Sequence, residues 1–421
     1  MTAVVLRGDA RRLPLPDECV DLIVTSPPYF ALRSYTDGGE HYAGQVGSEA
    51  TPAEFLAALW ECTAEWVRVL KPEGSIFVNL GDKYAGGGMG GHGDGIGAVC
   101  NGAARAQYRR PKIDAPAKSL LGLPWRYALG AIDQLGLILR AEIIWAKPNG
   151  LPESVTDRVR RSHEVVFHFT RQPRYYAAVD EIREPHDDKN KPGGPRGRDG
   201  VSLNPGSTSS TDGLRHRELR NAVREYNPLG KLPSSVWSIP SQPLTVPPGL
   251  GVDHFAAFPS ELPRRIILGW SPPGVCTGCG QGRRPVVNVG ETSWQRRRAD
   301  GDPVRYGLAG VAALQRSLSD PADRAAGGLG VPATRTITGY ACACPDTTAP
   351  TRPAIVLDPF GGTGTTALAA SVLGRTGITI DRSRDYCRLA AWRTRDPGER
   401  CRVIGAPKPP PVAVGQEALW A

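Results

Sequence analysis

Two stretches carry residue types whose order suits chemistry. Thr25-Ser26-Pro27-Pro28-Tyr29 follows the short apolar run Val20–Val24, and Asp358-Pro359-Phe360-Gly361-Gly362-Thr363-Gly364-Thr365-Thr366 follows Ala354–Leu357. In the first, two prolines fix an extended backbone and remove two N–H donors. Carbonyls are left to accept hydrogen bonds from a ligand, beside the Ser26 hydroxyl and the Tyr29 ring. A proline-rich turn or a polyproline ligand for a partner is the bland alternative, and a buried strand feeding straight into the stretch argues against it. In the second, glycines let the backbone turn sharply and approach a ligand between a strand and a helix. No Lys follows the last Gly, so this is not a phosphate-gripping P-loop. The next apolar run, Thr376–Ile380, ends in Asp381, an acid placed to hold ribose hydroxyls. Loop and acid together predict a pocket for an adenosine-bearing ligand, against the alternative of a plain glycine turn.

A third group is made of cysteines. Cys276-Thr277-Gly278-Cys279 and Cys342-Ala343-Cys344 pair up, whereas Cys19, Cys62, Cys100, Cys387 and Cys401 are scattered. Four paired thiolates match a structural tetrahedral zinc site. The 62 residues between the pairs make a long span, and four free thiols in a loop is the alternative.

The elements that must position these groups alternate. Val4–Leu6, Val20–Val24, Ser75–Leu80, Leu137–Trp145, His163–Phe169, Ala354–Leu357 and Thr376–Ile380 read as strands. Helices are expected from the cap Thr51-Pro52-Ala53-Glu54 to Leu70, over Ala117–Gly136 with an interruption at Pro124, over Pro259–Trp270, after the glycine loop, and over Ser383–Arg395. Such alternation implies an α/β fold with a mostly parallel sheet. His163 reads as either a catalytic or a buried structural histidine, and the strand pattern around it favours the structural one. Residues 30–50 read as a loop over a site, Gly86–Gly97 as a flexible glycine-rich lid, and the end from Ala406 as a frayed tail.

Composition sets outer limits. The 421 residues carry 50 Gly and 39 Pro, which demands extensive loop. A net charge of +9 suits phosphate contacts, although charge alone decides little. The isolated cysteines fit reduced thiols in a cytoplasmic protein, and neither a signal peptide nor a membrane-length apolar run is found.

The two chemical stretches admit one explanation. If the adenosine-bearing ligand is S-adenosylmethionine, the acceptor can be an exocyclic amine of a base. Its lone pair is delocalised into the ring, and hydrogen bonds accepted from its N–H groups localise it. The Pro27 carbonyl and Ser26 hydroxyl supply such acceptors, Ser26 being too weak a base to remove a proton outright. Tyr29 would stack on the base, which must leave the duplex at a cost of roughly a few kcal/mol.

At these motifs the chain resembles the bacterial and phage amino-group DNA methyltransferases, which modify cytosine N4 or adenine N6. Gly8-Asp9-Ala10, Leu70–Asp82, Ile144-Trp145-Ala146-Lys147-Pro148-Asn149, His163-Glu164 and Phe258-Pro259 with Leu262 support the resemblance. The turn precedes the glycine loop, which resembles the family's β-type order. The resemblance implies an S-adenosylmethionine-dependent methyltransferase fold, a mostly parallel seven-stranded sheet flanked by helices, with a target-recognition insertion and a zinc-binding insertion. It implies that Asp9, Asp358, Pro359, Phe360, Gly361, Gly362, Thr363, Gly364 and Asp381 hold the donor, and that Ser26, Pro27, Pro28 and Tyr29 face the flipped base. Cys276, Cys279, Cys342 and Cys344 are the expected zinc ligands. Ser ahead of the prolines leans towards cytosine N4, with adenine N6 the alternative.

The expected organisation is a catalytic half over 1–180, a variable target-recognition segment over 181–250, a return to the core over 251–275, a zinc insertion over 276–350, a donor-binding half over 351–405 and a tail over 406–421. Arg196, Arg198, Arg215, Arg217 and Arg220, and Trp294 with Arg296–Arg298, are candidate phosphate contacts, with a solvated loop as the alternative. The expected partners are double-stranded DNA and a cognate restriction endonuclease, with no membrane, for a monomer or homodimer. An RNA or protein-glutamine methyltransferase is disfavoured by motif order. A catalytically dead DNA-binding protein is disfavoured by intact Ser26, Tyr29 and Asp358.

Overall fold

The structure, a computed structural model, describes residues 2–32, 36–37, 40–41, 44–86, 112–150, 152–185, 229–247, 250, 258–289, 335–344 and 348–407. The glycine-rich stretch beyond Gly86, all nine candidate phosphate-binding residues, and the tail from Lys408 lie outside the described residues.

The described strands are β1 (Ala3–Arg7), β2 (Val20–Thr25), β3 (Thr36–Asp37), β4 (Glu40–His41), β5 (Leu70–Leu80), β6 (Ile138–Ala146), β7 (His163–Thr170), β8 (Val236–Ser238), β9 (Val275–Cys276), β10 (Arg284–Val289), β11 (Arg335–Ala341), β12 (Thr351–Arg352), β13 (Ile355–Asp358) and β14 (Thr376–Asp381). The described α-helices are α1 (Pro52–Val69), α2 (Leu123–Leu135), α3 (Glu261–Trp270), α4 (Thr365–Val372), α5 (Arg384–Arg395) and α6 (Pro397–Val403). The chain divides into two compact units, Met1–Ala178 with Ser234–Arg283 and Cys342–Ala421, and Val179–Pro233 with Arg284–Ala341.

The first unit contains one large sheet in the order β1-β14-β13-β2-β5-β7-β6-β8. Pairing is parallel from β1 to β5, and β7 runs antiparallel between β5 and β6. Seven strands match the expected set. The eighth, β8, is three residues long, pairs parallel with β6, and fell below the length at which a pattern is legible. β2 is buried along its whole length, as a central parallel strand must be, so its sequence is a near-continuous apolar run rather than an alternating one.

Each strand sends alternate side chains to opposite faces. Ile23, Ile76 and Val78 join Phe55, Leu59 and Trp66 of α1 and Tyr127 of α2 in one core. Leu22, Val24 and Phe77 join Leu262 and Ile266 of α3 and Leu368 of α4 in the other. Burying each such side chain contributes about 1.5–3 kcal/mol. The helix after β2 and the helix after β13 thus lie on opposite faces. That leaves a crevice at the strand ends where the winding reverses, between these two strands.

α1 starts as its sequence demands: Thr51 Oγ1 accepts from the Glu54 N–H at 3.2 Å, and the Glu54 carboxylate accepts from the Thr51 N–H at 3.1 Å. The helix expected over Ala117–Gly136 begins only at Leu123. Gly122 adopts φ +69°, and Pro124 stands in the first turn, where a missing N–H costs nothing, instead of interrupting a longer helix. The Asp82 carboxylate accepts from the N–H groups of Gly122 (2.9 Å) and Leu123 (3.0 Å), an anionic cap supplied from the end of β5. α6 was not expected. Asp396 caps it by accepting from the Glu399 N–H at 2.8 Å, and Asp396-Pro397-Gly398-Glu399 is the start signal that could have revealed it.

In the second unit, β10 and β11 pair antiparallel with a bulge between Val286 and Val287, and the Tyr340 hydroxyl donates to Glu181. No helix among the described residues is long and apolar enough to cross a membrane.

Candidate active site

A cavity of about 820 Å³ opens at the carboxyl ends of the parallel strands, and all of its walls belong to the first unit. One wall is the donor-side loop. Pro359, Phe360, Gly361, Gly362, Thr363 and Asp381 line it, with Asp9 nearby on the turn after β1. The backbone must come close here: a Cβ on Gly361 would lie 1.6 Å from Thr379 Oγ1. Asp381 Oδ2 accepts from the Gly362 N–H at 2.9 Å and Oδ1 from the Ser383 N–H at 2.8 Å. Each oxygen keeps capacity for a further donor. Burial pushes the Asp381 carboxyl up, and those N–H groups partly counter it. Asp9 Oδ1 accepts from the Arg11 N–H at 3.0 Å, and its Oδ2 lies 3.6 Å from Arg382.

Asp358 and Gly364 do not line this cavity. Asp358 is 1% exposed and ties the loop to its surroundings. Its Oδ1 accepts from Thr25 Oγ1 at 2.7 Å and the Phe360 N–H at 3.1 Å, and its Oδ2 from Thr366 Oγ1 at 3.0 Å. Burial raises its carboxyl to about 6 despite these donors. An acid that was expected to touch the donor therefore shapes the loop that would.

The opposite wall carries Ser26, Pro27, Pro28 and Tyr29. These residues follow β2 directly, so the register of that strand fixes where they emerge. Asn79, near the end of β5, links them: its Nδ2, with two N–H groups to give, lies within hydrogen-bond reach of Ser26 Oγ (3.2 Å), Tyr29 Oη (2.9 Å) and Glu164 Oε2 (2.8 Å). Tyr29 Oη in turn donates to Glu164 Oε2 at 2.6 Å, and Lys147 forms an ion pair with the other Glu164 oxygen. β7 enters antiparallel, so its first residues lie at the same sheet edge as the last residues of β5 and β6. That topology brings Asn79, Lys147 and Glu164 together. Burial alone would raise the Glu164 carboxyl; the Lys147 ammonium, with Tyr29 and Asn79, holds it below the usual range.

The direction of these hydrogen bonds limits the chemistry. Ionised Glu164 only accepts, so the Asn79 amide must face it with nitrogen. Ser26 is then a recipient of a hydrogen bond, with its own O–H and a remaining lone pair to offer. No carboxylate or imidazole bonds to Ser26 among the described residues, so no stronger base stands beside its hydroxyl. The Tyr29 ring lies against Gly81, where a Cβ would sit 2.6 Å from its Cε2.

Sequence reasoning missed Asn79 and the roles of Lys147 and Glu164. Asn79 was legible as the polar residue in the otherwise apolar run Ile76–Leu80. His163 is a correction: it is exposed and lines the cavity, and the buried histidine of β7 is His168. His168 stacks on Phe77 with ring centroids 4.2 Å apart, and burial lowers it to about 3, so it is a neutral core residue.

Of the four expected zinc ligands, the sulfurs of Cys276, Cys279 and Cys342 lie within 4.8 Å of one another. Cys344 stands outside that group.

A mostly parallel sheet with a glycine loop and acid on one side of its switch point, and a proline-locked turn on the other, is the arrangement of an amino-group methyltransferase. The sequence profile of the N6/N4 DNA methylase family matches residues 20–277 and 349–391. Among similar proteins, the Type II methyltransferase M.Cfr9I of Citrobacter freundii is 34% identical over 278 residues, 65% of this chain and 74% of that protein. M.XycI of Xanthomonas campestris pv. cyanopsidis is 35% identical over 276 residues, with 65% and 74% covered. The solved PvuII DNA methyltransferase (cytosine-N4-specific) shares the fold at a TM-score of 0.50 and 15% identity, covering 96% of this chain and 91% of that one. The chain belongs to the N6/N4 DNA methylase family and is an amino-methyltransferase.

Proposed function

We propose that the chain methylates the exocyclic N4 of a cytosine flipped out of duplex DNA, with S-adenosylmethionine as donor and adenine N6 as the alternative target. The observation that carries this reading is the Ser26 hydroxyl, held at the cavity wall by Asn79 and facing the same space as Asp381. The donor-side wall fits an adenosine-bearing ligand on its own chemistry: two carboxylate oxygens with spare acceptor capacity suit vicinal ribose hydroxyls, and Gly361 permits close backbone approach. Asp381 and Asp9 would hold the donor's polar groups, and Phe360 and Pro359 its apolar surface. When bound, the donor would supply an activated methyl on a sulfonium, leaving as the thioether, with the amine's surplus proton released to water.

The chain's own residues do the rest. The Pro27 carbonyl and Ser26 Oγ accept from the amine N–H groups and localise its lone pair. Tyr29, clamped through its hydroxyl by Glu164 and Asn79, is held in place for a planar base to stack on its ring. Cytosine is favoured by the resemblance alone, in which Ser ahead of the prolines leans towards N4. The turn, the loop and Asp381 are thus proposed as the catalytic and donor-binding residues. Residues 181–250 are proposed to read the DNA target. The Type II names of the relatives support a partner nuclease of the same specificity and a cytoplasmic setting.

The test is transfer of labelled methyl from donor to duplex DNA, to RNA and to no acceptor, with wild type, Ser26→Ala and Asp381→Ala. Labelled duplex DNA, a large fall in kcat for Ser26→Ala and weakened donor binding for Asp381→Ala are expected. Labelled RNA with unlabelled DNA would overturn the reading.

A further inference from the structure

The family's chemistry leaves the paired cysteines unexplained, and the profile match skips residues 278–348, where three of the four lie. We infer that Cys276, Cys279 and Cys342 bind one zinc ion, with Cys344 as the fourth thiolate. Tetrahedral zinc with sulfur about 2.3 Å away needs thiolates about 3.8 Å apart, and three sulfurs within 4.8 Å of one another already approach that spacing.

The backbone around Cys276 is built for it. The Gly280 N–H donates to the Cys276 carbonyl at 2.9 Å, Gly280 takes φ +75°, and the Cys276 N–H donates to the Gln281 carbonyl at 2.9 Å. This tight turn brings Cys279 back beside Cys276. β9 pairs antiparallel with β12, Cys276 opposite Thr351, and the Thr277 N–H donates to the Pro350 carbonyl at 2.9 Å. Those bonds bring the chain that follows the second cysteine pair against the first. Gln281 Oε1 accepts from the Ala343 N–H at 3.4 Å, between Cys342 and Cys344. Cys344 is near: a Cβ on Gly278 would lie 3.7 Å from its sulfur and 3.8 Å from that of Cys276. Gly278 keeps that space open. Cys276 is buried and Cys279 exposed, so the site lies at the surface over a buried sulfur.

The 62 residues between Cys279 and Cys342 contain β10 and β11, so the metal closes the chain at the base of that excursion. A metal-closed loop of this length restricts the unfolded chain and stabilises the folded one. This role is separate from methyl transfer, since none of the four cysteines lines the catalytic cavity.

The test uses the full chain purified without added metal or chelator. Elemental analysis should give one zinc per chain. Cys276→Ser and Cys342→Ser should lose it, and Cys19→Ser should keep it. Should the serine variants fail to fold, cobalt exchanged into the wild-type chain gives a second readout: tetrahedral bands with charge-transfer intensity scaling to four thiolates. A zinc-free wild-type chain with four freely titrating thiols, a disulfide between these cysteines by intact mass, or iron in place of zinc would overturn the inference. A three-thiolate spectrum would overturn the assignment of Cys344.

Discussion

Thr25 Oγ1 donates a 2.7 Å hydrogen bond to Asp358 Oδ1, both groups buried, joining the strand that ends in the proline turn to the strand that ends in the glycine loop. The two motifs lie more than three hundred residues apart in sequence, yet this bond sits at the root of both. It ties the proline-turn wall of the cavity to the glycine-loop wall, and in-line transfer under the proposed function depends on their spacing.

Thr25→Val keeps the shape of the side chain and removes the donor. The variant should lose about 1–3 kcal/mol of stability, because a buried carboxyl is left short of a partner. Donor affinity should also fall. Denaturant midpoints and calorimetric titration check both, and an unchanged midpoint would show that the bond contributes nothing.

Asp358 gives a pH signature. Its carboxyl ionises near 3.8 when unfolded and is raised to about 6 in the folded chain. The folded state therefore holds the proton more tightly, and the stability this provides is complete below 3.8 and lost as pH rises through about 6. The full effect is about 3 kcal/mol. In Asp358→Asn the slope of stability between those pH values should flatten, as read by denaturation at a series of pH values.

Glu164 has the opposite sign. Its carboxyl is held below the usual value of 4.5, so its contribution is present above that pH and lost as pH falls through the folded value. Glu164→Gln leaves Lys147 without its counter-charge and should cost about 3 kcal/mol. Adding Lys147→Met should recover part of that loss. Additive single-mutant losses would show that the two residues do not act as a pair.

Gly81→Ala separates the two walls functionally. The added Cβ would lie 2.6 Å from Tyr29 Cε2 and 2.9 Å from its Cδ2, so the ring must move. The turn would shift while Asp381 and the glycine loop stay in place. A fall in kcat with unchanged donor affinity is expected, and a matching loss of donor affinity would count against the division.

The fold was legible because its buried parallel strands are short continuous apolar runs bounded by Gly, Pro and acids. Both walls of the cavity were legible because a proline pair and a glycine cluster each fix or free the backbone directly after a strand. The network behind Ser26 was not. Asn79, Lys147 and Glu164 sit on three strands whose register and direction no local pattern reveals. Glu164 in particular depends on β7 running antiparallel, which places its start, rather than its end, beside the end of β5. His163 was misplaced for the same reason: the first residue of that strand opens into the cavity, and the buried position falls five residues on, at His168. Asp358 reads as a ligand contact from its motif, and only packing shows that both its oxygens are occupied by Thr25, Thr366 and the Phe360 N–H.

The most direct test is to incubate the protein with S-adenosylmethionine and mixed-sequence duplex DNA, digest the DNA to nucleosides and separate them by mass. N4-methylcytosine, lost in Ser26→Ala, is the predicted product. N6-methyladenine would keep the enzyme class and contradict the base assigned to Ser26. Neither nucleoside, from a chain that still binds the donor, would contradict DNA as the acceptor.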